Sequence, residues 1–215
     1  MRLLVSAGPT REFVDPVRFL SNRSTGKMGY AVARAAVEAG HEVVLVSGPV
    51  SLEPPPGLAA FVPVVSARDM LAALRRALAA ADALVMTAAV ADFRPARVSR
   101  RKIHKGAMPD SIRLVPNPDI LATLARRKGR RVFIGFAAET ERAVAGAARK
   151  LRAKGLDLVV ANDVTLPGAG FGTDTNIVSL VRPDGSAEAL PVLPKLDVAR
   201  RIVAEVEALL ARRAR

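Results

Sequence analysis

The feature that most restricts the fold of this chain is a switch of apolar period near its start. RLLVSAG, residues 2–8, is a continuous apolar run that ends in turn residues. From about residue 26 to residue 39 the apolar side chains fall at helical spacing, Gly40 ends the run, and HEVVLVSGP follows as a second apolar stretch. Strands buried on both faces read as unbroken apolar runs, so this strand–helix–strand order predicts a βαβ unit in a covered parallel sheet. The alternation continues. SLEPPPG is a stiff connector, FVPVVSA a strand, and Ser66 with Asp69 forms a capping box for the helix ARDMLAALRRALAAA. ALVMTAAVADF is a buried strand running into a loop, and SIRLV is a short strand. PDILATLARRK is a helix, RRVFIGFAAE a strand, RAVAGAARKLRAK a helix and LDLVVAND a strand. NIVSLVRPDGSAEALPVLP gives two alternating strands about a Pro-Asp-Gly turn, a late antiparallel hairpin that either extends the sheet or makes a dimer contact. An amphipathic helix over about 196–212 ends the chain. With no internal repeat and no linker, residues 1–215 are expected to form one α/β domain with a mainly parallel sheet.

Composition narrows the chemistry. The chain has no cysteine, which excludes disulfides, a thiol nucleophile and thiolate metal sites. His41 and His104 are too few for a histidine-rich metal site, so any metal would be a hard cation held by carboxylates and phosphates. No run approaches the ~20 apolar residues of a membrane span, and MRLLVSAGPTRE is too short in its apolar part for a signal peptide. A soluble, cytoplasmic protein is expected. The net charge of +13, with 26 Arg against 7 Lys, reflects either an anionic partner or a compositional habit. One Tyr, no Trp and no basic–aromatic interleaving weigh against nucleic acid. Small phosphorylated ligands are the best specific reading.

In a sheet of this type ligands bind beyond the carboxyl ends of the strands, and the loops there are long: 9–25, 93–110 and 162–175. STGKMG has the Gly-Lys of a P-loop, but Ser21 stands where its first glycine belongs, and no G-x-G-x-x-G follows the first strand. What remains is a helix start at Ser24, Thr25 and Gly26 whose free N–H groups favour an anion, unless Ser24 or Thr25 simply caps it. RPARVSRRKIHK, residues 94–105, holds six basic residues in twelve and no acid: a flap for a polyphosphate, or a basic loop without function. Asp92, at the end of TAAVADF, can accept hydrogen bonds from a ligand, hold a metal or cap its turn. In VPNPDIL, Asn117 suits an N-cap and Pro118 the first helical position. Lys150 and Lys154 share one helix face, a small cost unless an anion lies between them.

Taken in order, SAGPTREFVDPVRFLSNRSTGKMG, AAVADFRP, the flap around Lys102, NPDI, GFAAET and LDLVVANDV resemble phosphopantothenoylcysteine synthetase (phosphopantothenate–cysteine ligase) over essentially the whole chain. The resemblance implies a Rossmann-like three-layer fold, usually dimeric. It implies a ligase that uses CTP (ATP in eukaryotic members) with Mg2+ to activate 4'-phosphopantothenate as an acyl-cytidylate, which L-cysteine then captures as an amide. By motif it places the acyl-cytidylate on Asn22. It places the nucleotide on Ala88, Asp92, Lys102, Asn117, Pro118, Asp119, Ile120, Phe136, Lys150 and Lys154, and a nucleotide or substrate phosphate on the helix start at Ser24, Thr25 and Gly26. Lys102 joins Asn22 as a candidate catalytic residue; no metal ligands are assigned. His104 stands where the family often has lysine. Such domains often follow a flavin-dependent decarboxylase; none is present here, so the chain reads as free-standing or as an excised domain. Two other readings stay open: an NAD(P)-binding oxidoreductase of Rossmann type, and a basic nucleic-acid-binding module.

Overall fold

The apolar runs become the strands of one sheet, and the helical stretches cover both its faces. The computed structural model of the chain describes residues 1–107, 110–139, 141–166 and 168–214. In chain order the elements are β1 (Arg2–Ala7), β2 (Arg11–Phe13), β3 (Phe19–Ser21), α1 (Lys27–Glu38), β4 (Glu42–Ser47), β5 (Ala60–Pro63), α2 (Ala67–Ala77) and β6 (Ala83–Met86). There follow β7 (Phe93–Pro95), β8 (Leu114–Pro116), α3 (Ile120–Ala125), β9 (Val132–Glu139), α4 (Ala143–Lys154) and β10 (Leu158–Asp163). The chain closes with β11 (Thr175–Asn176), β12 (Val178–Val181), β13 (Ala187–Ala189), β14 (Leu193–Pro194) and α5 (Lys195–Ala214).

The main sheet has the order β13-β12-β10-β9-β6-β1-β4-β5. Its six strands from β10 to β5 are parallel, with registers such as Leu4 beside Val44 and Leu84. Alternate strand residues face opposite layers. Leu3, Val5, Val43, Val85 and Ile134 pack with α1 and α5, whereas Leu4, Leu84, Phe133 and Val159 pack with α2, α3 and α4. The three-layer α/β expectation therefore holds. The late hairpin extends the sheet: β12 runs antiparallel to β10, and β13 antiparallel to β12. Ser66 and Asp69 form the expected capping box, with Asp69 N–H donating to Ser66 Oγ at 3.2 Å and Ser66 N–H to Asp69 Oδ2 at 2.9 Å.

Two local expectations change. SIRLV does not join the main sheet; only its end enters a strand, β8, which pairs antiparallel with β7. The helix after VPN starts later than Asn117 and Pro118 suggest. Its N-cap is Asp119, whose carboxylate accepts from Ala122 N–H at 3.0 Å, and Asn117 is drawn off to other partners. The long loops are not structureless either, since β2 pairs with β3, β7 with β8 and β11 with β14. No described helix is long and apolar enough to cross a membrane.

One glycine sets how closely α1 meets the sheet. A Cβ on Gly29 would lie 2.4 Å from Thr87 Oγ1 and 2.5 Å from the Cβ of Ala7. Only glycine lets the first turn of α1 sit against the carboxyl ends of β1 and β6.

Candidate functional site

After β1 the chain builds outward through β4 and β5, then returns to β6 on the other side of β1. The loops leaving β1 and β6 therefore part, and a crevice opens at the carboxyl ends of the strands. It holds two joined cavities of about 380 and 290 Å³. Ala88, Val90, Asp92, Phe136 and Lys150 line both.

The smaller cavity gathers nine of the residues picked out by motif: Ala88, Asp92, Asn117, Pro118, Asp119, Ile120, Phe136, Lys150 and Lys154. They come from the loop after β6, the start of α3, the middle of β9 and one face of α4. The loop after β6 is strapped to β1, with Thr87 Oγ1 donating to Ser6 O at 2.5 Å and Ala88 N–H to Ser6 Oγ at 3.2 Å. Asn117 ties that loop to α3. Its N–H donates to Asp92 O at 2.7 Å, its Nδ2 to Ala91 O at 2.9 Å, and its Oδ1 accepts from Arg94 at 3.2 Å. These bonds explain why Asn117 does not cap the helix.

Protein groups already answer part of the Lys150–Lys154 charge. Lys154 pairs with Asp119 at 2.7 Å, and Lys150 donates to Phe136 O. Burial pushes the Lys150 ammonium below its ordinary pKa and Lys154 adds to this, while Glu139, Asp119 and Asp92 oppose it. Burial alone would raise the Asp119 carboxyl, but the Ala122 N–H and the two lysines outweigh it and hold the group below its usual range. The cavity thus carries a half-neutralised pair of cations beside a partly buried aromatic ring.

The larger cavity is lined by Asn22, Ser24, Thr25 and Gly26. Asn22 Nδ2 donates to Ala89 O at 3.0 Å, which places the amide beside the loop shared by both cavities. Neither hydroxyl of the helix start caps α1. The N-cap is Gly26, with φ of 81° and no side-chain cap bond. Thr25 Oγ1 donates instead to Phe171 O at 2.7 Å, and Ser24 Oγ accepts from Gly26 N–H at 3.3 Å. The capping alternative is therefore set aside, and the first-turn N–H groups of α1 keep their capacity for an anion.

Lys102 is exposed and lines neither cavity. The residue after it anchors the flap elsewhere. Ile103 N–H donates to Asp15 Oδ2 at 3.1 Å, and Arg18 bridges the two by donating to Asp15 Oδ2 at 2.6 Å and to Ile103 O at 2.5 Å. Arg18 holds the Asp15 carboxyl well below the usual carboxylate range; burial opposes this, and the N–H groups of Ile103, Val17 and Arg18 reinforce it. Sequence reasoning passed over Asp15 and Arg18, although an Asp-Pro turn with Arg three residues on is a visible signal. It also assigned no residue in loop 162–175, whose Asn162, Gly170 and Phe171 form the far wall of the larger cavity with Asn176 and Lys195.

A model of the DNA/pantothenate metabolism flavoprotein C-terminal domain matches residues 1–210 of this chain. The coenzyme A biosynthesis bifunctional protein CoaBC of Bacillus subtilis (strain 168) is 51% identical over 207 residues, which cover 96% of this chain and 51% of that protein. CoaBC of Escherichia coli (strain K12) is 44% identical over 196 residues, covering 89% of this chain and 48% of that protein. The chain thus spans about half the length of these curated relatives. The crystal structure of a CoaBC C-terminal domain matches with a TM-score of 0.83 at 44% identity, covering 98% of this chain and 96% of that one. A Cab2 mutant in complex with phosphopantothenate-cysteine shares the fold at a TM-score of 0.78 and 19% identity, covering 99% of this chain and 87% of that one. With a family match over residues 1–210 and a shared fold over nearly its whole length, the chain belongs to the family of DNA/pantothenate metabolism flavoprotein C-terminal domains.

Proposed function

We propose that residues 1–215 form one phosphopantothenate–cysteine ligase domain that joins 4'-phosphopantothenate to L-cysteine at the expense of CTP, in coenzyme A biosynthesis and in the cytoplasm. One observation carries this reading: two cavities share a wall, one lined by the nucleotide residues and the other by Asn22 and an uncapped helix start. That arrangement suits a carboxylate that must meet the α-phosphate of a nucleotide. The carboxylate oxygen attacks phosphorus, the bond to the β-phosphate breaks, and pyrophosphate leaves. The cysteine amine then attacks the acyl carbon, CMP departs with the electron pair, and the amine proton passes to solvent.

No protein nucleophile is needed, and the composition agrees. The chain has no cysteine, and His41 pairs with Glu207 at 2.7 Å beside the start of β4, at the opposite sheet edge from the crevice. Positioning and charge stabilisation supply the rate enhancement. Phe136 and the small residues Ala88 and Ala91 suit a compact pyrimidine, and Lys150 and Lys154 face its phosphates.

The crevice also fits Mg2+, which commonly takes one or two carboxylates together with substrate phosphates. Among the described residues no three of His, Asp or Glu cluster as a protein-made metal cage. Asp92 lines both cavities and would hold the ion, while Asp119 is engaged by Lys154. When bound, the ion would neutralise charge on the triphosphate.

The domain is proposed to work as a homodimer. Phe19 (40% exposed) and Leu20 on β3, with Phe93 (51% exposed) on β7 and Leu114 on β8, leave apolar surface on the two small antiparallel pairs. Such patches mark association surfaces. Sedimentation at the monomer mass under assay conditions would reject the dimer. A flavin-dependent decarboxylase, fused as in the bifunctional relatives or as a separate protein, would act on the amide product, which keeps the carboxylate of cysteine.

Pyrophosphate release with each nucleotide tests the function. Release is expected only when 4'-phosphopantothenate is present, and about tenfold or more faster with CTP than with ATP, a preference of ~1.4 kcal/mol. Release that ignores 4'-phosphopantothenate rejects the ligase; equal or reversed nucleotide rates reject only the cytosine assignment.

A further inference from the structure

The two ends of the crevice differ in how their cations are balanced. At the nucleotide end Lys154 has a carboxylate partner in Asp119. At the far end Lys195, the first residue of α5, is only 7% exposed, and no described carboxylate pairs with it. Its Nζ donates to Gly170 O at 3.1 Å and to Thr173 O, while its third contact, with Thr173 Oγ1, is stretched to 3.5 Å. An ammonium has three donors, so one remains poorly used.

The nearest acid is committed elsewhere. Asp174 pairs with Lys27 at 2.7 Å, and its side chain is 91% exposed. Lys27 and Lys195 both line the larger cavity, as does the uncapped start of α1. Two ammonium groups thus face one carboxylate that points to solvent. Burial and repulsion from Lys27 lower the Lys195 pKa, with Asp174 opposing them. A buried lysine without a paired charge is costly, and an anion arriving in the cavity would relieve it.

The proposed substrate has a second anion to place. Its reacting carboxylate must sit at the nucleotide, while its phosphate lies at the other end of an arm about three residues long, roughly 10 Å when extended. We propose that Lys195, assisted by Lys27 and the first N–H groups of α1, receives the terminal phosphate of the pantothenate arm and so selects the phosphorylated substrate. The inference rests on the ligase reading. It assigns the helix start at Ser24, Thr25 and Gly26 to substrate phosphate, leaving the triphosphate to the Lys150–Lys154 end. Lys195 also fastens the loop that carries Phe171, so a purely structural role must be separable from selection.

The test compares 4'-phosphopantothenate with pantothenate in CTP-dependent pyrophosphate release. Wild type is expected to favour the phosphorylated compound about hundredfold in kcat/KM, and Lys195→Met to cut that ratio below about tenfold. The loss should fall on KM for 4'-phosphopantothenate and not on KM for CTP. Asp174→Asn removes the opposing carboxylate at an exposed position, and should lower KM for 4'-phosphopantothenate about threefold while leaving the fold intact. If Lys195→Met slows both substrates equally, it is only a loop fastener and the inference is overturned. Should that variant fail to fold, an unchanged KM in Asp174→Asn overturns it instead. Wild type that turns over neither substrate defeats the ligase reading, and the inference falls with it.

Discussion

Asn22→Asp is expected to form the acyl-cytidylate and then stall. The substitution changes shape very little, and Asn22 is an exposed loop residue, so circular dichroism and melting should match wild type. Its chemistry changes a great deal. In the native protein Asn22 Nδ2 donates to Ala89 O at 3.0 Å. A carboxylate there sets an acceptor against that carbonyl and a negative charge beside the phosphates. A neutral amide can donate to an acyl or phosphate oxygen and accept from an incoming amine; a carboxylate can only accept. Loss of one well-placed donor to a developing oxyanion costs about 10²–10³ in rate. Activation rests mainly on the nucleotide half of the crevice, so the loss should fall on transfer to cysteine. In a rapid quench the acyl-cytidylate should build up to near one per site. Amide formation at the wild-type rate would reduce Asn22 to a turn residue.

Much of the architecture can be read before any coordinates. Apolar runs such as RLLVSAG and the start of ALVMTAAVADF read as strands covered on both faces, and the helical periods between them point to the crossovers of a parallel sheet. The carboxyl-edge loops could then be named as the ligand side. What stayed hidden depends on competition between partners distant in sequence. Asn117 is a better N-cap than most residues, yet bonds to Ala91 and Asp92 outcompete that local role, and Asp119 caps α3 instead. Likewise Thr25 looks like a cap until Phe171 O, far along the chain, takes its hydroxyl. Lys195 gave no signal at all. It is an ordinary basic residue at a helix start, where cations are disfavoured, and only the fold shows it buried under a glycine-rich loop. The Rossmann-type order itself left an oxidoreductase possible; the missing G-x-G-x-x-G and the clustering of nine motif residues around one small cavity argue for the ligase.

The flap allows the second large effect. Lys102→Gln is expected to lower CTP-dependent kcat/KM by roughly tenfold to a hundredfold, the equivalent of losing one charge-assisted contact of about 1.5–3 kcal/mol. Lys102 is exposed and away from both cavities, so the substitution should leave circular dichroism and melting unchanged. The anchor beside it explains how a distant residue can matter. Asp15 and Arg18 grip the backbone of Ile103 at both its N–H and its carbonyl, fixing a pivot immediately after Lys102. Ser99 N–H donates to Val14 O at 2.9 Å, so the part free to close over the triphosphate is the short basic stretch 100–102 between that bond and the pivot. Six basic side chains in twelve residues repel one another in the open position, and a polyphosphate removes that repulsion on closing. The loss should be largest at low salt, where the flap's charge is least screened. Normal turnover together with normal CTP affinity in Lys102→Gln would leave the segment a solvated basic loop, with the triphosphate held by Lys150 and Lys154 alone.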